Sequence, residues 1–192
     1  KTRCPAVPLT LVDTADKTWE LAADLILTQG AKLLLHGSDD VSTLRLISRS
    51  DGLDAHVATV TAQWGTIDVN GVTVTSWDPE LRAPDNDPSL PKGGTEGRSY
   101  VRVISYLDEG VGRNSTLNIV DSTFQYLGYY AAEAYGVAYK ARGCSRDNVA
   151  LCDQVKSFGV QTRSRFLNNY MGTYTWGAVD IAFTDNEYGN NE

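Results

Sequence analysis

The sequence predicts an all-β fold built from stacked coils, and three observations lead to this prediction. A similar block of sequence occurs twice, at residues 122–129 and again at residues 164–174, about 42 residues further along. Short stretches of alternating apolar and polar residues follow one another through most of the chain, as in β-strands. Only residues 19–27 could form a helix, which Gly30 would end. A repeat of this kind indicates units that bury their apolar faces by stacking on one another.

Aromatic and glycine residues define the repeat. The matched pairs are Phe124 with Phe166, Tyr126 with Tyr170, Gly128 with Gly172, and Tyr135-Gly136 with Trp176-Gly177. Each period is too long for a single pair of strands. We therefore predict two turns of a solenoid in each period, with roughly 20 residues to the turn. In such a coil the function is expected along a groove on the outer surface rather than in a buried pocket.

The chain divides into a cap and a solenoid. Residues 1–30 are predicted to form an N-terminal cap, which covers the open end of the first coil. Residues 31–192 are predicted to form the β-helix itself. Within it, residues 78–98 contain four of the six prolines and show no periodicity, so they are interpreted as a long side loop. Such a loop either forms one wall of a binding groove or is a disordered insertion. The polar turn residues at the C-terminus precede no capping element, so we expect the solenoid to be truncated there.

Composition narrows the range of partners. The net charge of −7 argues against a nucleic-acid partner, which requires a basic face. No apolar run is long enough to span a bilayer, so no membrane partner is expected. A local basic groove remains compatible with an acidic chain.

The cysteines favour an extracellular protein. Cys144 and Cys152 flank a polar loop, and a disulfide closing this loop is the natural interpretation for a secreted chain. Cys4 is left without an assigned partner. Asn114 begins the sequence Asn-Ser-Thr, an acceptor pattern for N-glycosylation in a polar loop. Together these features predict a secreted glycoprotein.

Three stretches of the sequence resemble a known family. These are residues 64–78 (WGTIDVNGVTVTSWD), residues 112–140 (GRNSTLNIVDSTFQYLGYYAAEAYGVAYK) and residues 164–192 (SRFLNNYMGTYTWGAVDIAFTDNEYGNNE). In this order they resemble the mannuronan (alginate) C5-epimerases, over about residues 60–192. The resemblance implies a right-handed parallel β-helix and an acidic polysaccharide, a poly-uronate, as partner. It implies an isomerase that abstracts the C5 proton of poly(β-D-mannuronate).

The catalytic signature of that family contains Asp-Pro-His, and this sequence has none. Tyr188-Gly189 is followed by Asn190-Asn191-Glu192, which is similar to the turn before the signature. The catalytic residues are therefore unknown, and a C-terminal continuation or companion fragment is expected to supply them. Two alternatives stay open: a polysaccharide lyase on the same scaffold, and a non-catalytic glycan-binding or structural β-solenoid.

Inversion at C5 requires a positive group that neutralises the uronate carboxylate, together with a base and an acid. The cations that could meet a substrate carboxylate are Lys140, Arg142, Arg163 and Arg165, and the aromatic residues that could stack on sugar rings include Tyr135 and Tyr174. His36 and His56 are expected to be structural or surface residues. No pattern of metal ligands and no phosphate-binding loop is present, so neither a metal nor a cofactor is expected.

Overall fold

The computed structural model describes residues 7–49, 56–88, 97–177 and 179–192. These residues form short strands and one short helix. In chain order the elements are β1 (Leu9–Asp13), β2 (Thr18–Leu21), β3 (Leu25–Leu27), β4 (Ala31–His36), β5 (Thr43–Arg49), β6 (His56–Val57), β7 (Val60–Gln63), β8 (Gly65–Asn70), β9 (Thr73–Trp77), β10 (Val101–Asp108), β11 (Val111–Arg113), β12 (Ser115–Val120), β13 (Thr123–Gln125), β14 (Gly136–Ala141), α1 (Val149–Cys152), β15 (Ser157–Thr162), β16 (Arg165–Leu167), β17 (Met171–Trp176), β18 (Val179–Thr184) and β19 (Glu187–Gly189).

The described strands form three sheets that run along the molecule. Sheet A has the order β1-β2-β5-β9-β13-β16-β19, sheet B the order β3-β7-β10-β14-β17, and sheet C the order β4-β8-β12-β15-β18. The main path is parallel throughout, except where β1 pairs antiparallel with β2. Two short strands, β6 and β11, add antiparallel pairs to β5 and β10. Each coil of the chain thus contributes one strand to sheet A, then one to B, then one to C. The predicted all-β parallel β-helix is confirmed.

The first coil begins before residue 31, where the sequence predicted the β-helix to start. The expectation that residues 19–27 could form a helix is wrong, because this segment contains β2 and β3. Strand β2 pairs in parallel with β5, which places Trp19 beside Leu44, and β3 pairs in parallel with β7. Trp19 and Leu21 alternate toward the apolar interior, and this burial outweighs local helix propensity. Within the predicted cap, β1 lies at the edge of sheet A, and residues 1–6, with Cys4, lie outside the described residues.

The repeat corresponds to one turn rather than two. Phe124 lies directly opposite Phe166 on neighbouring strands, so the prediction of two turns per period is wrong. The corresponding serines of this turn, Ser122 and Ser164, are 42 residues apart because segments 126–135 and 142–156 are inserted between strands. The next turn has no such insertions and takes 22 residues.

The register also corrects three pairings of the repeat. Gly136 lies opposite Met171 and Lys140 lies opposite Trp176, so the predicted match of Tyr135-Gly136 with Trp176-Gly177 is wrong. Gly172 belongs to β17, which pairs with β14, so its predicted match with Gly128 is wrong as well.

Tyr126, Asn168 and Asn190 occupy the same left-handed turn position in successive coils, with φ of 55°, 56° and 52°. Tyr126 therefore corresponds to Asn168, and the predicted match of Tyr126 with Tyr170 is wrong. Asn tolerates this conformation at lower cost than most residues, which explains its recurrence here.

Aromatic stacking and one buried polar network hold the later coils together. The Phe166 ring stacks on Phe124 at 5.9 Å and on Tyr188 at 5.0 Å between centroids. Tyr139 is fully buried and donates a hydrogen bond to the Leu117 carbonyl at 3.0 Å. Its hydroxyl also accepts a hydrogen bond from Gln161 at 3.1 Å, so both buried polar groups are satisfied.

No helix in the described part of the chain is long and apolar enough to cross a membrane.

Candidate functional site

The outer face of sheet B carries charged and aromatic side chains in rows. Because neighbouring parallel strands are in register, equivalent outward residues line up across them at about 4.8 Å spacing. The alternate residues on these strands, such as Val103 and Tyr139, point into the core. One outward row is Arg102, Ala138 and Tyr174, and the next is Ile104, Lys140 and Trp176. Both Ala138 and Ile104 are buried, and we interpret them as the floor on which the larger side chains rest.

A carboxylate surrounded by cations occupies the centre of this face. Glu133, in the segment between β13 and β14, has a side chain that is only 17% exposed. One of its carboxylate oxygens lies 3.2 Å from Lys140 Nζ, and the other lies 3.8 Å from Arg102 Nη1 and 3.7 Å from Arg142 Nη2. Three cations around one carboxylate leave a local excess of two positive charges. This basic site lies on a chain whose net charge is −7.

Aromatic rings and hydrogen bonds hold two of these cations in place. Arg102 donates to the Thr61 hydroxyl at 3.1 Å, and its guanidinium lies 4.9 Å from the centre of the Tyr100 ring. Lys140 Nζ lies 5.0 Å from the centre of the Trp176 ring. Such cation–π contacts orient a charge without neutralising it. Trp176 is 51% exposed, so part of its ring remains available to a ligand.

A group of tyrosines borders the cations. Tyr135 lies 4.7 Å from Tyr174 and 6.0 Å from Tyr170 between ring centroids, and Tyr170 lies 6.0 Å from Tyr130. Partial burial raises the pKa of Tyr174 above its ordinary value, and the neighbouring Tyr135 and Glu133 raise it further. The Tyr174 hydroxyl therefore keeps its proton at neutral pH and can donate a hydrogen bond. Rings of this kind offer flat apolar surfaces with polar edges, which suit pyranose rings.

Buried polar groups fix the segment that carries Glu133 and Tyr135. Arg98, 2% exposed, donates to the carbonyls of Gly128 and Asn168 at 2.9 and 3.0 Å. The Leu127 amide donates to the Asn169 side chain at 2.9 Å. Arg98 ends the predicted side loop 78–98, so the described part of this loop contacts the segment beside the cations. Residues 89–96 of the loop lie outside the described residues.

The loop closed by the disulfide borders the same face. Cys144 and Cys152 are bonded, with an S–S distance of 2.06 Å. A cavity of about 720 Å³ lies between this loop and the end of β17. It is lined by Cys144, Ser145, Arg146, Asp147, Val149, Cys152, Thr175, Trp176 and Gly177. Because Trp176 lines this cavity and also lies beside Lys140, the cavity borders the cations of sheet B, and its own lining adds one cation and one carboxylate, Arg146 and Asp147.

The structure brings together four of the residues selected from the sequence: Lys140, Arg142, Tyr135 and Tyr174. Arg163 and Arg165 lie elsewhere. Arg163 occupies the turn between sheets C and A and makes two hydrogen bonds of 2.7 Å to Asp121, which lower the pKa of that carboxyl. Arg165 lies on sheet A and donates to Glu187 at 2.7 Å. Both are exposed ion pairs between successive coils.

Asn114 and His36 make their contacts outside the group of residues around Glu133. Asn114 is exposed between β11 and β12, where its side chain accepts a hydrogen bond from the Lys156 amide at 3.0 Å. His36 Nε2 lies 3.6 Å from Asp68 on sheet C, and the side chain of His56 lies outside the described residues. Among the described residues, no group of three His, Cys, Asp or Glu side chains could hold a metal ion.

Sequence reasoning missed Arg102, Glu133 and Trp176 as site residues. Arg102 could have been found from the sequence, because alternation in V-R-V-I directs it outward, as alternation in V-A-Y-K directs Lys140. Glu133 lies in a turn without periodicity, and only the three-dimensional arrangement shows its position.

Comparison with known proteins gave one informative result. No family model matches the chain, and no curated protein matches its sequence. One solved structure superposes on it with a TM-score of 0.67 and 15% identity, over 95% of this chain. It is the periplasmic alginate epimerase AlgG. A double mutant of AlgG superposes equally well.

The similarity to AlgG concerns the fold. The chain spans 37% of the length of AlgG. At 15% identity the superposition shows that both proteins share the parallel β-helix, as the resemblance in sequence had implied. It does not carry over the residues or the reaction of AlgG, because a fold of this kind supports more than one function.

Proposed function

We propose that the chain binds an acidic polysaccharide of the poly-uronate class along the outer face of sheet B. The observation that carries this proposal is the arrangement of Arg102, Lys140 and Arg142, three cations that share a single carboxylate. A uronate polymer presents one carboxylate on each sugar. The excess of positive charge suits these carboxylates, and the rings of Tyr135, Tyr174 and Trp176 suit the sugar faces.

The likeness to AlgG supports alginate as the first polymer to test. AlgG is an alginate epimerase with the same fold. We propose that this chain belongs to a poly(β-D-mannuronate) C5-epimerase, in which these cations neutralise the substrate carboxylate while the C5 proton is removed. We assign no base to the described residues, and a C-terminal continuation or companion fragment is proposed as its source. The disulfide and the periplasmic location of AlgG support a secreted or periplasmic protein.

Binding is tested with poly-mannuronate and, as a matched control, a neutral β-linked glucan of similar length. We expect the chain to bind poly-mannuronate and not the glucan, because only the charged polymer can form ion pairs with the cations. The affinity should fall steeply with added salt, since the contacts are partly exposed to solvent. Equal affinity for both polymers, or binding that salt does not weaken, would contradict the proposal.

The reaction is tested by incubating the polymer in D₂O with the protein together with the proposed C-terminal continuation or companion fragment, which is needed to supply the base. An epimerase places deuterium at C5 with inverted configuration. A lyase, the alternative with the same proton abstraction, produces unsaturated chain ends that absorb ultraviolet light. Binding without either product would favour the second alternative, a glycan-binding solenoid.

A further inference from the structure

An incoming anionic polymer would have to replace the Glu133 carboxylate in its contacts with the three cations. This carboxylate already occupies the point at which the three cations converge, and it is largely covered. An anionic ligand entering the face would meet these same cations. The ligand carboxylate and the Glu133 carboxylate would then compete for one place, because both cannot occupy it without repulsion.

The contacts of Glu133 are loose. They measure 3.2–3.8 Å, whereas the paired hydrogen bonds between Arg163 and Asp121 measure 2.7 Å. A single carboxylate reaches three cations at the cost of good geometry with each of them. Charge-assisted hydrogen bonds are strongest when they are short and paired. A ligand with two or more carboxylates can satisfy these cations better than Glu133 alone.

Glu133 can leave this place without disrupting the sheet. It lies in a turn rather than on a strand, with a left-handed φ of 65°. The turn is closed by its own backbone bonds, from the Tyr129 amide to the Ala134 carbonyl at 2.9 Å and from the Ala134 amide to the Ala131 carbonyl at 3.0 Å. A rotation of the Glu133 side chain leaves both bonds intact.

We propose that Glu133 is an internal stand-in for the carboxylate of the ligand, and that binding exchanges one carboxylate for the other. The proposal rests on the proposed function, since it concerns the same face. It gives Glu133 a role in specificity: neutral saccharides cannot displace it, whereas a poly-uronate can. The free protein thereby avoids leaving three cations unpaired in a partly covered site.

The test compares the wild-type protein with Glu133→Gln, which keeps the shape of the side chain and removes its charge. Two probes are used, a short mannuronate oligomer and inorganic sulfate. We expect Glu133→Gln to bind both about tenfold more tightly, because the competing charge is gone. Glu187→Gln is the matched control, since it removes the carboxylate paired with Arg165 on sheet A. It should leave both affinities unchanged.

The outcomes separate this inference from the proposed function. Weaker or unchanged binding of both probes to Glu133→Gln would overturn the stand-in role, even where the wild-type protein binds the oligomer. Tighter binding of sulfate to Glu133→Gln, without any binding of the oligomer, would support the stand-in role of Glu133 and contradict the proposed binding of a polysaccharide. If Glu133→Gln fails to fold, Glu133→Asp serves instead. Its charge is kept but its reach is shorter, so we expect tighter binding than wild type by a smaller factor, and weaker or unchanged binding overturns the inference.

Discussion

Replacing Phe166 by alanine is expected to lower the free energy of unfolding by about 3–5 kcal/mol. Phe166 is fully buried and lies between Phe124 of the preceding coil and Tyr188 of the next. Truncation removes the apolar contacts on both sides and leaves a cavity that the stacked backbones cannot close. Denaturant unfolding followed by circular dichroism measures the change.

Phe183→Ala provides the matched control for this prediction. Phe183 lies on β18 of sheet C and is 48% exposed, so the same truncation removes much less buried surface. We expect a loss of less than about 1.5 kcal/mol. Equal losses for the two variants would contradict the assignment of Phe166 to the interior stack.

The double variant Arg102→Gln/Lys140→Gln is expected to weaken binding of a mannuronate oligomer by about 100-fold or more. Each charge-assisted contact to a carboxylate contributes about 1.5–3 kcal/mol when it is partly shielded from water, and the variant removes two of them. Arg142 and the tyrosines would remain. Isothermal titration calorimetry at low salt measures the change.

The matched control is Arg163→Gln/Arg165→Gln, which also removes two positive charges. These arginines pair with Asp121 and Glu187 away from sheet B. We expect a less than threefold change in affinity, because only the general charge of the protein differs. A similar loss in both double variants would show that the net charge, rather than the face of sheet B, governs binding.

Sequence could predict the fold because a β-helix depends on a simple local pattern. Alternating residues in strands such as L-N-I-V place Leu117 and Ile119 inside, and stacking then follows from their burial. The length of a turn was not predictable in the same way. Insertions such as 142–156 lie between strands and add no alternation, so one long turn was taken for two short ones. Residues 19–27 were ambiguous because their apolar residues also fit a helical period.

The candidate site was predictable in part. Lys140, Arg142, Tyr135 and Tyr174 were selected because their residue types suit a uronate. The structure adds Arg102, which lies next to this group only through the register of β10 with β14. It also adds Glu133, which belongs to a turn. Such contacts depend on which strands become neighbours, and alternation within one strand does not encode this.

Binding on the face of sheet B is tested most directly by following the indole NMR signals of the tryptophans during titration with a mannuronate oligomer. Trp176 lies at the proposed site beside Lys140, whereas Trp19 donates to the Asp40 carbonyl and Trp77 lies under Arg45 on sheet A. We expect the Trp176 indole and the amides of β14 and β17 to shift, and Trp19 and Trp77 to stay unchanged. Saturable shifts at Trp19 or Trp77 with none at Trp176 would contradict binding on the face of sheet B.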